Sequence, residues 1–345
     1  MTGPVGDLRP IAWTGAALRV IDQTLLPGRL EYIDLTTADA VVDAIRRLAV
    51  RGAPQLGAVG AVGVVIAMDE AAREGWPQAR LDAAVDAIRS ARPTAVNLAW
   101  AVDRVRPLMT RGREAVLAAA LEIIEADERV NHAIGAYGAD WIQARIDHPV
   151  RVITHCNTGA LAMVAWGTAL GIVRELHARA ALEMVYVDET RPLLQGARLT
   201  AWELQRDGIP YRVQADGAAA STILRGLVDV AIFGADRIAA NGDVANKIGS
   251  LGLALACREA GIPCLSAAPV STVDLTTASG DDIEIELRGD EEVLAFGGVR
   301  VAPVGARAFN PAFDVTPARF ITGLVTEVGV LAVSDGETPA RRLGG

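Results

Sequence analysis

The sequence is almost without lysine. Lysine and arginine together number 33 in 345 residues, and Lys247 is the only lysine. Arginine is a planar fork of five N–H donors, whereas lysine carries a compact point charge on a flexible stem. Unless chance alone retained it, a lone lysine in so arginine-rich a chain indicates a position that contacts one ligand oxygen in a narrow space.

Other scarcities exclude whole classes of protein. Only 4% of residues are aromatic although 51% are hydrophobic, so the interior is mainly aliphatic, and we expect a buried subunit interface. The net charge of -9 argues against a basic face for nucleic acid. The three cysteines, Cys156, Cys257 and Cys264, lack the spacing of a metal site or a disulfide framework and favour a reducing, cytoplasmic location.

Signals for export, membrane insertion and nucleotide binding are also missing. The first ten residues, MTGPVGDLRP, lack the basic and apolar regions of a secretory signal. The longest uncharged runs, 52–68 and 157–173, fall short of the roughly 20 apolar residues that cross a membrane, and we expect them to form buried helices. Neither a G-x-x-x-x-G-K-[ST] loop nor a G-x-G-x-x-G turn is present, which disfavours a nucleotide cofactor.

The periodicity of the apolar residues changes near residue 146 and predicts two domains. Residues 11–35 predict a small strand pair, and helical spacing dominates residues 37–144. After His148, short β-rich runs alternate with helical windows, as is typical of a parallel sheet covered on both faces. The sequence therefore predicts an α/β protein, with a mainly helical N-terminal domain that includes a small β element (1–145) and a Rossmann-like, doubly wound C-terminal domain (146–345).

Polar residues follow several apolar runs of the predicted sheet. In open parallel sheets, ligands bind beyond the carboxyl ends of the strands, so four such strand ends predict one crevice. Each of these residues could instead cap the following helix, and only their convergence favours a site. The residues are His155, Cys156, Asn157, Thr158, Asp188, Glu189, Thr190, Asp216 and Asp236.

Cys156 combines a strand end with a reactive side chain. We expect a helix to start just after Gly159, and its dipole would favour the thiolate. The alternative is a buried structural cysteine, which is the role we assign to Cys257 and Cys264. Strand alternation sends His155 to the face opposite Cys156, so a Cys–His nucleophile pair is not expected.

Two further segments could bind an anionic substrate. GADRIAANGDVANKIGS (234–250) places Asp236 after a strand, as a candidate general acid or base. It also places Asn246 and Lys247 near a helix start, where they could bind hydroxyls or a phosphate. RGAPQLGAVGAVG begins at Arg51 and could hold an anion on its backbone amides. It could equally be a glycine face that packs helices together, with Arg51 on the surface.

Seven segments in order are similar to the 5-methylthioribose-1-phosphate isomerases of methionine salvage. They lie between Arg51 and Pro317 and read RGAPQLG, RPTAVNLAWA, THCNTGALA, DETRPLLQGARLTAWEL, GADRIAANGDVANKIGS, AAPVSTVD and FNPAFDVTP. The wider superfamily also holds ribose-1,5-bisphosphate isomerases and regulatory subunits of translation initiation factor 2B. Those regulatory subunits resemble the chain in fold but do not have this set of site motifs.

The resemblance implies a role for each matching residue. Cys156 and Asp236 would be catalytic, and the substrate would be contacted by Arg51, Gly52, Ala53, Arg92, Gln195, Asn246 and Lys247. It implies a homodimer that converts an aldose 1-phosphate into a ketose 1-phosphate without a metal, nucleotide or other cofactor. Neither a nucleic acid nor a membrane is expected as a partner.

Four positions depart from the family pattern: Gly217 in DGAAA, Ser250, and Glu284 and Leu287 in IEIELR. Because of them, a related pentose 1-phosphate, 5-deoxyribose 1-phosphate or ribose 1,5-bisphosphate, remains an alternative substrate. A non-catalytic regulatory subunit that binds a sugar phosphate or nucleotide is the alternative from another functional class.

Overall fold

The structure, a computed structural model, describes residues 5–92 and 95–344. Contacts divide the chain into two compact units. The helical unit is Gly6–His132 together with Thr158–Gly167, and the sheet unit contains Ala133–Asn157 and the described residues from Thr168 onward. The domain boundary after residue 145 stays a prediction.

The helical unit begins with a three-stranded antiparallel sheet rather than the predicted strand pair. Its strands are β1 (Ile11–Trp13), β2 (Leu18–Ile21) and β3 (Tyr32–Leu35), and β2 pairs with both neighbours. Only Leu35 of β3 is buried. The third strand therefore lacks the alternation of buried and exposed residues that marks a strand in a sequence.

Five helices follow the small sheet, as the helical spacing predicts. They are α1 (Ala38–Arg46), α2 (Ala53–Glu74), α3 (Gln78–Arg89), α4 (Val96–Val105) and α5 (Arg113–Gln143), of which α5 continues beyond His132 into the sheet unit. Residues 52–68 lie at the start of α2 and are largely buried, which confirms the expected buried helix. By length and composition alone α2 could cross a membrane, but 83% of its most apolar stretch is buried inside the protein. Core packing therefore accounts for its composition.

Two glycines of the RGAPQLGAVGAVG motif allow α2 and α4 to approach closely. A Cβ atom on Gly57 would lie 3.1 Å from the carbonyl oxygen of Asn97, and one on Gly60 would lie 2.5 Å from Cδ1 of Leu98. The helix-packing role considered for this motif is therefore confirmed at these two positions. It does not extend to Arg51 and Gly52, which precede the helix.

The strands of the sheet unit are β4 (Val150–Thr154), β5 (Leu182–Asp188), β6 (Tyr211–Gln214), β7 (Val230–Phe233), β8 (Arg237–Ala239), β9 (Val244–Lys247), β10 (Cys264–Ala267), β11 (Val273–Asp274), β12 (Ala295–Phe296), β13 (Val299–Arg300), β14 (Phe313–Thr316), β15 (Gly323–Thr326) and β16 (Gly329–Leu331).

Seven of these strands form the main sheet of the unit, in the order β16-β15-β10-β7-β4-β5-β6. The six strands from β15 to β6 run parallel, and β16 pairs antiparallel with β15. Numbered by chain order, the parallel strands read 3-2-1-4-5-6, which is the Rossmann order.

Both faces of this sheet are buried. Ile153 and Phe233 pack in one core with Leu253, whereas Val152 and Ile232 point to the opposite face and are also fully buried. The predicted doubly wound α/β fold is thus confirmed. The helices of this unit are α6 (Ala169–Ala178), α7 (Ala201–Asp207), α8 (Ala219–Leu224), α9 (Ser250–Ala260), α10 (Glu291–Leu294) and α11 (Pro339–Leu343).

A second sheet, in the order β11-β8-β9-β14, was not expected from the sequence. It includes Asn246 and Lys247 as the last two residues of β9, so they lie in a strand just before α9. Phe313 of β14 is the antiparallel partner of Lys247. Because β14 lies far along the chain from β9, local periodicity cannot reveal this pairing.

The expected buried helix over 157–173 is wrong for most of its length. Gly159 and Gly167 form an isolated bridge, and α6 starts only at Ala169. The segment is buried, and side chains of α5 satisfy its backbone. Asp127 accepts a hydrogen bond from the Val164 N–H (3.0 Å), and the Asn131 amide donates to the Ala165 carbonyl (3.2 Å).

Replacing Asp127 by Asn should stabilise the protein at alkaline pH. Burial raises the pKa of Asp127 to about 7, so the folded state holds this proton more tightly than the unfolded state. Its contribution is most favourable near pH 4 and is lost as the pH rises to about 7. The Asp127→Asn variant keeps an oxygen for the Val164 N–H without the charge. It should gain about 1 kcal/mol or more at pH 8 and little at pH 4.

Melting temperatures at pH 4 to 8 test this, with Glu125→Gln, an exposed carboxylate on the same helix, as the control. An equal pH dependence in the Asp127→Asn and wild-type proteins would contradict the destabilising role of the buried charge.

Candidate active site

The central pair of strands places two predicted catalytic residues beyond the same edge of the sheet. β4 and β7 are adjacent and parallel, and the chain leaves them toward opposite sides, to β5 and to β10. This is the topological switch point, where ligands bind in open α/β sheets. Cys156 follows the end of β4 by two residues, and Asp236 follows the end of β7 by three. The adjacent ends of β4 and β7 agree with the expected position, and the convergence of all four strand ends on one crevice stays a prediction.

Cys156 is held in an unusual backbone conformation. Its φ of 63° lies in the left-handed region, which costs a side-chain-bearing residue on the order of 1 kcal/mol. The Cys156 N–H donates to the Thr190 hydroxyl (2.9 Å), and the Thr200 hydroxyl donates to the Cys156 carbonyl (2.6 Å). Only a short 3₁₀ turn, Ala160–Ala162, follows, so the expected α-helix dipole next to Cys156 is wrong. Strain of this kind accumulates at functional sites.

A buried ionic network supports the residue after Cys156. The Asn157 amide donates to Glu203 (2.8 Å), and Arg174 binds both Glu203 (2.8 Å) and Asp207 (2.7 Å). All four side chains are almost completely buried. Losing one partner would leave a buried charge uncompensated, so the network fixes α6, α7 and the end of β4 relative to one another.

Asp236 lies at the corner between the two sheets of this unit. It is exposed, and its N–H donates to the Ala245 carbonyl of β9 (2.9 Å). The next residue begins β8. The backbone of Asp236 is thus tied to β9 while the residue is exposed to solvent.

Asn246 and Lys247 are both buried and bonded. The Asn246 amide donates to the Ser250 hydroxyl (2.8 Å). The Lys247 ammonium donates to the Ala312 carbonyl (2.9 Å) and lies 4.3 Å from the centroid of the Phe313 ring. A cation over an aromatic face is attracted by the negative face of the ring.

The start of α9 is already capped by a carboxylate. Asp314 accepts hydrogen bonds from the N–H groups of Gly249 (2.7 Å) and Leu251 (3.2 Å). Burial raises the pKa of Asp314, while these N–H groups and the charges of His155 and Lys247 oppose that rise. A phosphate at this helix start would meet Asp314, so the contacts favour hydroxyl binding by Asn246 and Lys247.

Gln195 lies in the connection that follows β5. It is 6% exposed and precedes a π-helical turn, Gly196–Thr200. Among the described residues, its side-chain oxygen has no hydrogen-bond partner. A buried acceptor without a donor is costly, and a ligand hydroxyl would satisfy it.

Three predicted substrate-binding residues lie at the start of α2 in the helical unit. Gly52 is the N-cap, with a φ of 92°, and a Cβ atom there would overlap the Ala162 carbonyl oxygen. Gln55 accepts a hydrogen bond from the Arg51 N–H (3.1 Å). Arg51, Gly52 and Ala53 therefore form a fixed, positive helix end, a common anion-binding arrangement.

Arg92, the fourth predicted substrate contact in the helical unit, follows α3 and is half-buried. Its carbonyl accepts a hydrogen bond from the Ala95 N–H (3.0 Å). Pro93 and Thr94 of the same motif lie outside the described residues.

Three of the strand-end residues singled out in the sequence, His155, Asp188 and Asp216, form a cluster. Their ligand atoms lie within 4.8 Å of one another, close enough to hold a metal ion. The carboxylate oxygens are already bonded. One oxygen of Asp188 accepts from the Gln214 amide (2.9 Å), and the other lies 3.1 Å from His155 Nδ1. Asp216 accepts from the N–H groups of Thr190 and Arg191 (2.7 Å each). These bonds give the cluster a structural role that joins three strand ends.

The four departures from the family pattern are compatible with this arrangement. A Cβ atom on Gly217 would meet nothing within 4 Å, and Glu284 and Leu287 are exposed. The Ser250 hydroxyl accepts from Asn246 and donates to the Lys247 carbonyl (2.8 Å each), so it supplies the bonds a threonine hydroxyl would make.

The fold and these strand ends define a Rossmann-like α/β protein with a thiol and a carboxylate flanking the switch point. Residues 49–333 match the Initiation factor 2 subunit family, and the chain belongs to that family.

Two relatives illustrate the similarity. The Gloeobacter violaceus methylthioribose-1-phosphate isomerase is 49% identical over 331 residues, which is 94% of each chain. A probable bifunctional methylthioribose-1-phosphate isomerase/methylthioribulose-1-phosphate dehydratase of Nocardia farcinica is 52% identical over 99% of this chain. The chain spans only 62% of the length of that relative.

Two solved structures share the fold. The 5-methylthioribose 1-phosphate isomerase of Pyrococcus horikoshii has a TM-score of 0.86 at 39% identity, over 95% of this chain and 93% of its own. A protein from A. fulgidus described as translation initiation factor eIF-2B, subunit delta, has a TM-score of 0.87 at 38% identity, over 98% of this chain and 100% of its own.

Proposed function

We infer that this chain is an aldose–ketose isomerase of methionine salvage, which converts 5-methylthio-α-D-ribose 1-phosphate into 5-methylthio-D-ribulose 1-phosphate. The observation that supports this most strongly is the position of Cys156 and Asp236 at the ends of the paired strands β4 and β7. A protein that only binds a sugar phosphate has no need of both groups. The relatives from Gloeobacter violaceus and Pyrococcus horikoshii carry the same isomerase name.

The name of the Nocardia farcinica relative supports the proposal that the product is 5-methylthioribulose 1-phosphate. Its name combines the isomerase with a methylthioribulose-1-phosphate dehydratase. The second activity consumes the ketose phosphate that the first would form. This chain spans 62% of that relative, and only the isomerase activity is proposed for it.

The chemistry begins with ring opening. A sugar 1-phosphate cannot open spontaneously because its anomeric oxygen carries the phosphate. Asp236, as general acid, protonates the ring oxygen, the bond from that oxygen to C1 breaks, and the proton remains on the new C4 hydroxyl. The exposed position of Asp236 gives the ring oxygen access to the carboxyl group.

A hydrogen then moves from C2 to C1, and the C2 hydroxyl loses its proton as the ketone forms. Two routes fit the residues present. In one, the Cys156 thiolate removes the C2 proton and returns it to C1 through an enediol-like intermediate. In the other, a hydride shifts directly from C2 to C1 and Cys156 supports the geometry. The burial of Cys156, at 7% exposure, suits both because each needs a site without bulk water.

The remaining residues divide by chemistry. Taken by itself, the α2 start with Arg51, Gly52 and Ala53 has the arrangement of an anion site, and Arg92, a substrate contact by the resemblance, carries a guanidinium of the kind that binds phosphate. The buried oxygen of Gln195, which has no hydrogen-bond partner in the part of the chain that the structure describes, accepts a substrate hydroxyl. Asn246 and Lys247 bind hydroxyls, in keeping with the carboxylate already at the α9 start.

The chain acts in the cytoplasm as a homodimer, without a metal or other cofactor, nucleic acid or membrane. The free cysteines and the net charge of -9 support the location and the lack of a polyanionic partner. Exposed apolar side chains, including Val304 at 93% and Phe309 at 81%, support an interface between copies. Light scattering on the purified protein, which gives the mass in solution, tests the dimer.

Incubation with 5-methylthioribose 1-phosphate and detection of the ketose by NMR test the reaction. Turnover should be unaffected by chelator. Parallel assays with 5-deoxyribose 1-phosphate and ribose 1,5-bisphosphate distinguish the alternative substrates. No turnover of any pentose 1-phosphate would refute the isomerase and favour a regulatory subunit, and activity lost in chelator and restored by a divalent ion would refute the metal-free mechanism.

Cys156→Ser and Asp236→Asn should each lower kcat by about 100-fold or more, with little change in substrate affinity. Serine lacks an easily ionised thiol, and asparagine cannot donate the ring-opening proton. Steady-state kinetics measure both effects, with Cys257→Ala and Asp281→Asn as matched controls. Retention of more than about a tenth of the activity, a barrier change of roughly 1.4 kcal/mol or less, would exclude the residue concerned from an essential role.

Lys247→Arg should lower kcat/KM at least tenfold, or about 1.4 kcal/mol of transition-state stabilisation, with little change in melting temperature. The ammonium fits between the Ala312 carbonyl and the Phe313 ring, whereas a wider guanidinium must displace one of them. Kinetics of the purified variant measure the change, with Arg237→Lys as a control for charge-preserving exchange in the same sheet. A kcat/KM close to wild type would mean that the lone lysine has no special role.

A further inference from the structure

The His155 ring binds two acceptors at once. It is 1% exposed; Nδ1 lies 3.1 Å from Asp188 Oδ2, and Nε2 lies 2.8 Å from the Ile248 carbonyl oxygen. The other oxygen of Asp188 accepts from the Gln214 amide, whose own oxygen accepts from the Thr222 hydroxyl. A carbonyl and an ionised carboxylate only accept, so the geometry fits a ring that donates from both nitrogens, which is an imidazolium.

This ring joins two of the segments that carry predicted site residues of the sheet unit. His155 directly precedes Cys156, and Ile248 directly follows Lys247. The Ile248 N–H donates to the Ala312 carbonyl (3.2 Å), the same oxygen that binds the Lys247 ammonium. One buried side chain thus connects the end of β4 to the turn between β9 and α9.

A glycine in the turn between β9 and α9 leaves room for the His155 ring. Gly249 has a φ of 110°, and a Cβ atom there would lie 2.8 Å from His155 Cε1. Any larger residue would push the ring away from the Ile248 carbonyl. The close approach is therefore built into the backbone of the turn.

The charges around His155 favour its protonated form. Burial lowers its pKa, but the hydrogen bond and charge of Asp188, the Ile248 carbonyl and the charge of Asp216 together raise the pKa above its ordinary value. From β14, Asp314 adds a carboxyl group that interacts with both His155 and Lys247. Among the charged residues named here, Asp188, Asp216 and Asp314 carry carboxyl groups, and Lys247 on β9 carries an ammonium.

We propose that His155 is a positioning residue: as an imidazolium it fixes the Cys156 segment relative to the Lys247 turn, and loss of its proton releases the turn. The proposal rests on the isomerase function. A neutral ring can donate only once, so either the Ile248 carbonyl or Asp188 loses its partner. The geometry of Cys156 and Lys247 around the substrate then depends on one proton.

The protonation state is read directly by ¹⁵N NMR of histidine-labelled full-length protein. The chain has four histidines, and His155→Gln identifies the His155 signals. At pH 7 both His155 ring nitrogens should carry protons that exchange slowly with water, with the exposed His148 as internal reference. A neutral His155 ring at pH 7 would overturn the proposal, whatever the activity.

Two variants connect that proton to turnover. His155→Gln should lower kcat at least tenfold with a smaller change in KM, whereas the control His148→Gln should match wild type. Asp188→Asn keeps the volume but removes the charge, so the ring should lose its second proton at lower pH, and kcat should fall over the same pH range. A kcat profile that does not follow the ring titration would overturn the positioning role.

The two hypotheses fail differently. An imidazolium in a chain that turns over no pentose 1-phosphate would refute the isomerase function. A neutral ring in an active isomerase would refute only the role of His155.

Discussion

The parallel pairing of β4 with β7 is the constraint on which the site depends. From this pair the chain builds outward in both directions, to β5 and β6 on one side and to β10 and β15 on the other. The connections leaving the two central strands therefore diverge, and the carboxyl ends between them stay accessible. Cys156 and Asp236 follow these two strands, so strand order alone brings a thiol and a carboxylate to one place from positions 80 residues apart.

Buried charged side chains surround the ends of β4 and the neighbouring strands, and their hydrogen bonds fix the backbone there. Arg174 and its partners Glu203 and Asp207 are almost fully buried, and so are His155 and its partner Asp188. Such groups add little net stability compared with apolar residues of the same size. Their value is geometric, because each bond holds only in one arrangement of the strand ends. They hold Cys156 in a backbone conformation that its own preferences disfavour.

The sequence predicts the parts of the fold whose signals are local. The β-rich runs after His148 and the helical spacing of residues 37–144 are such signals, because burial on one or both faces of a strand or helix produces a period within a few residues. The sequence does not predict the second sheet, β11-β8-β9-β14, because β9 pairs with β14, which lies far along the chain. The long apolar run after Cys156 predicts a helix that the structure does not contain before Ala169. Its backbone bonds go to Asp127 and Asn131, which no periodicity announces. Similarly, the strand-end polar residues were found, but only coordinates show that His155 faces Asp188 and the Ile248 carbonyl.

The single lysine has a consequence for the chemistry of the protein surface. Lys247 is 7% exposed and its ammonium is engaged with a carbonyl and an aromatic ring. The folded chain therefore presents no readily accessible lysine amine to solvent. Acyl donors and reducing sugars, whose carbonyl carbons are attacked by unprotonated lysine amines when they modify proteins without enzymes, meet a surface whose side-chain cations are guanidinium groups. The pattern of surface charge is thus resistant to this kind of chemical ageing for as long as β9 remains paired with β14.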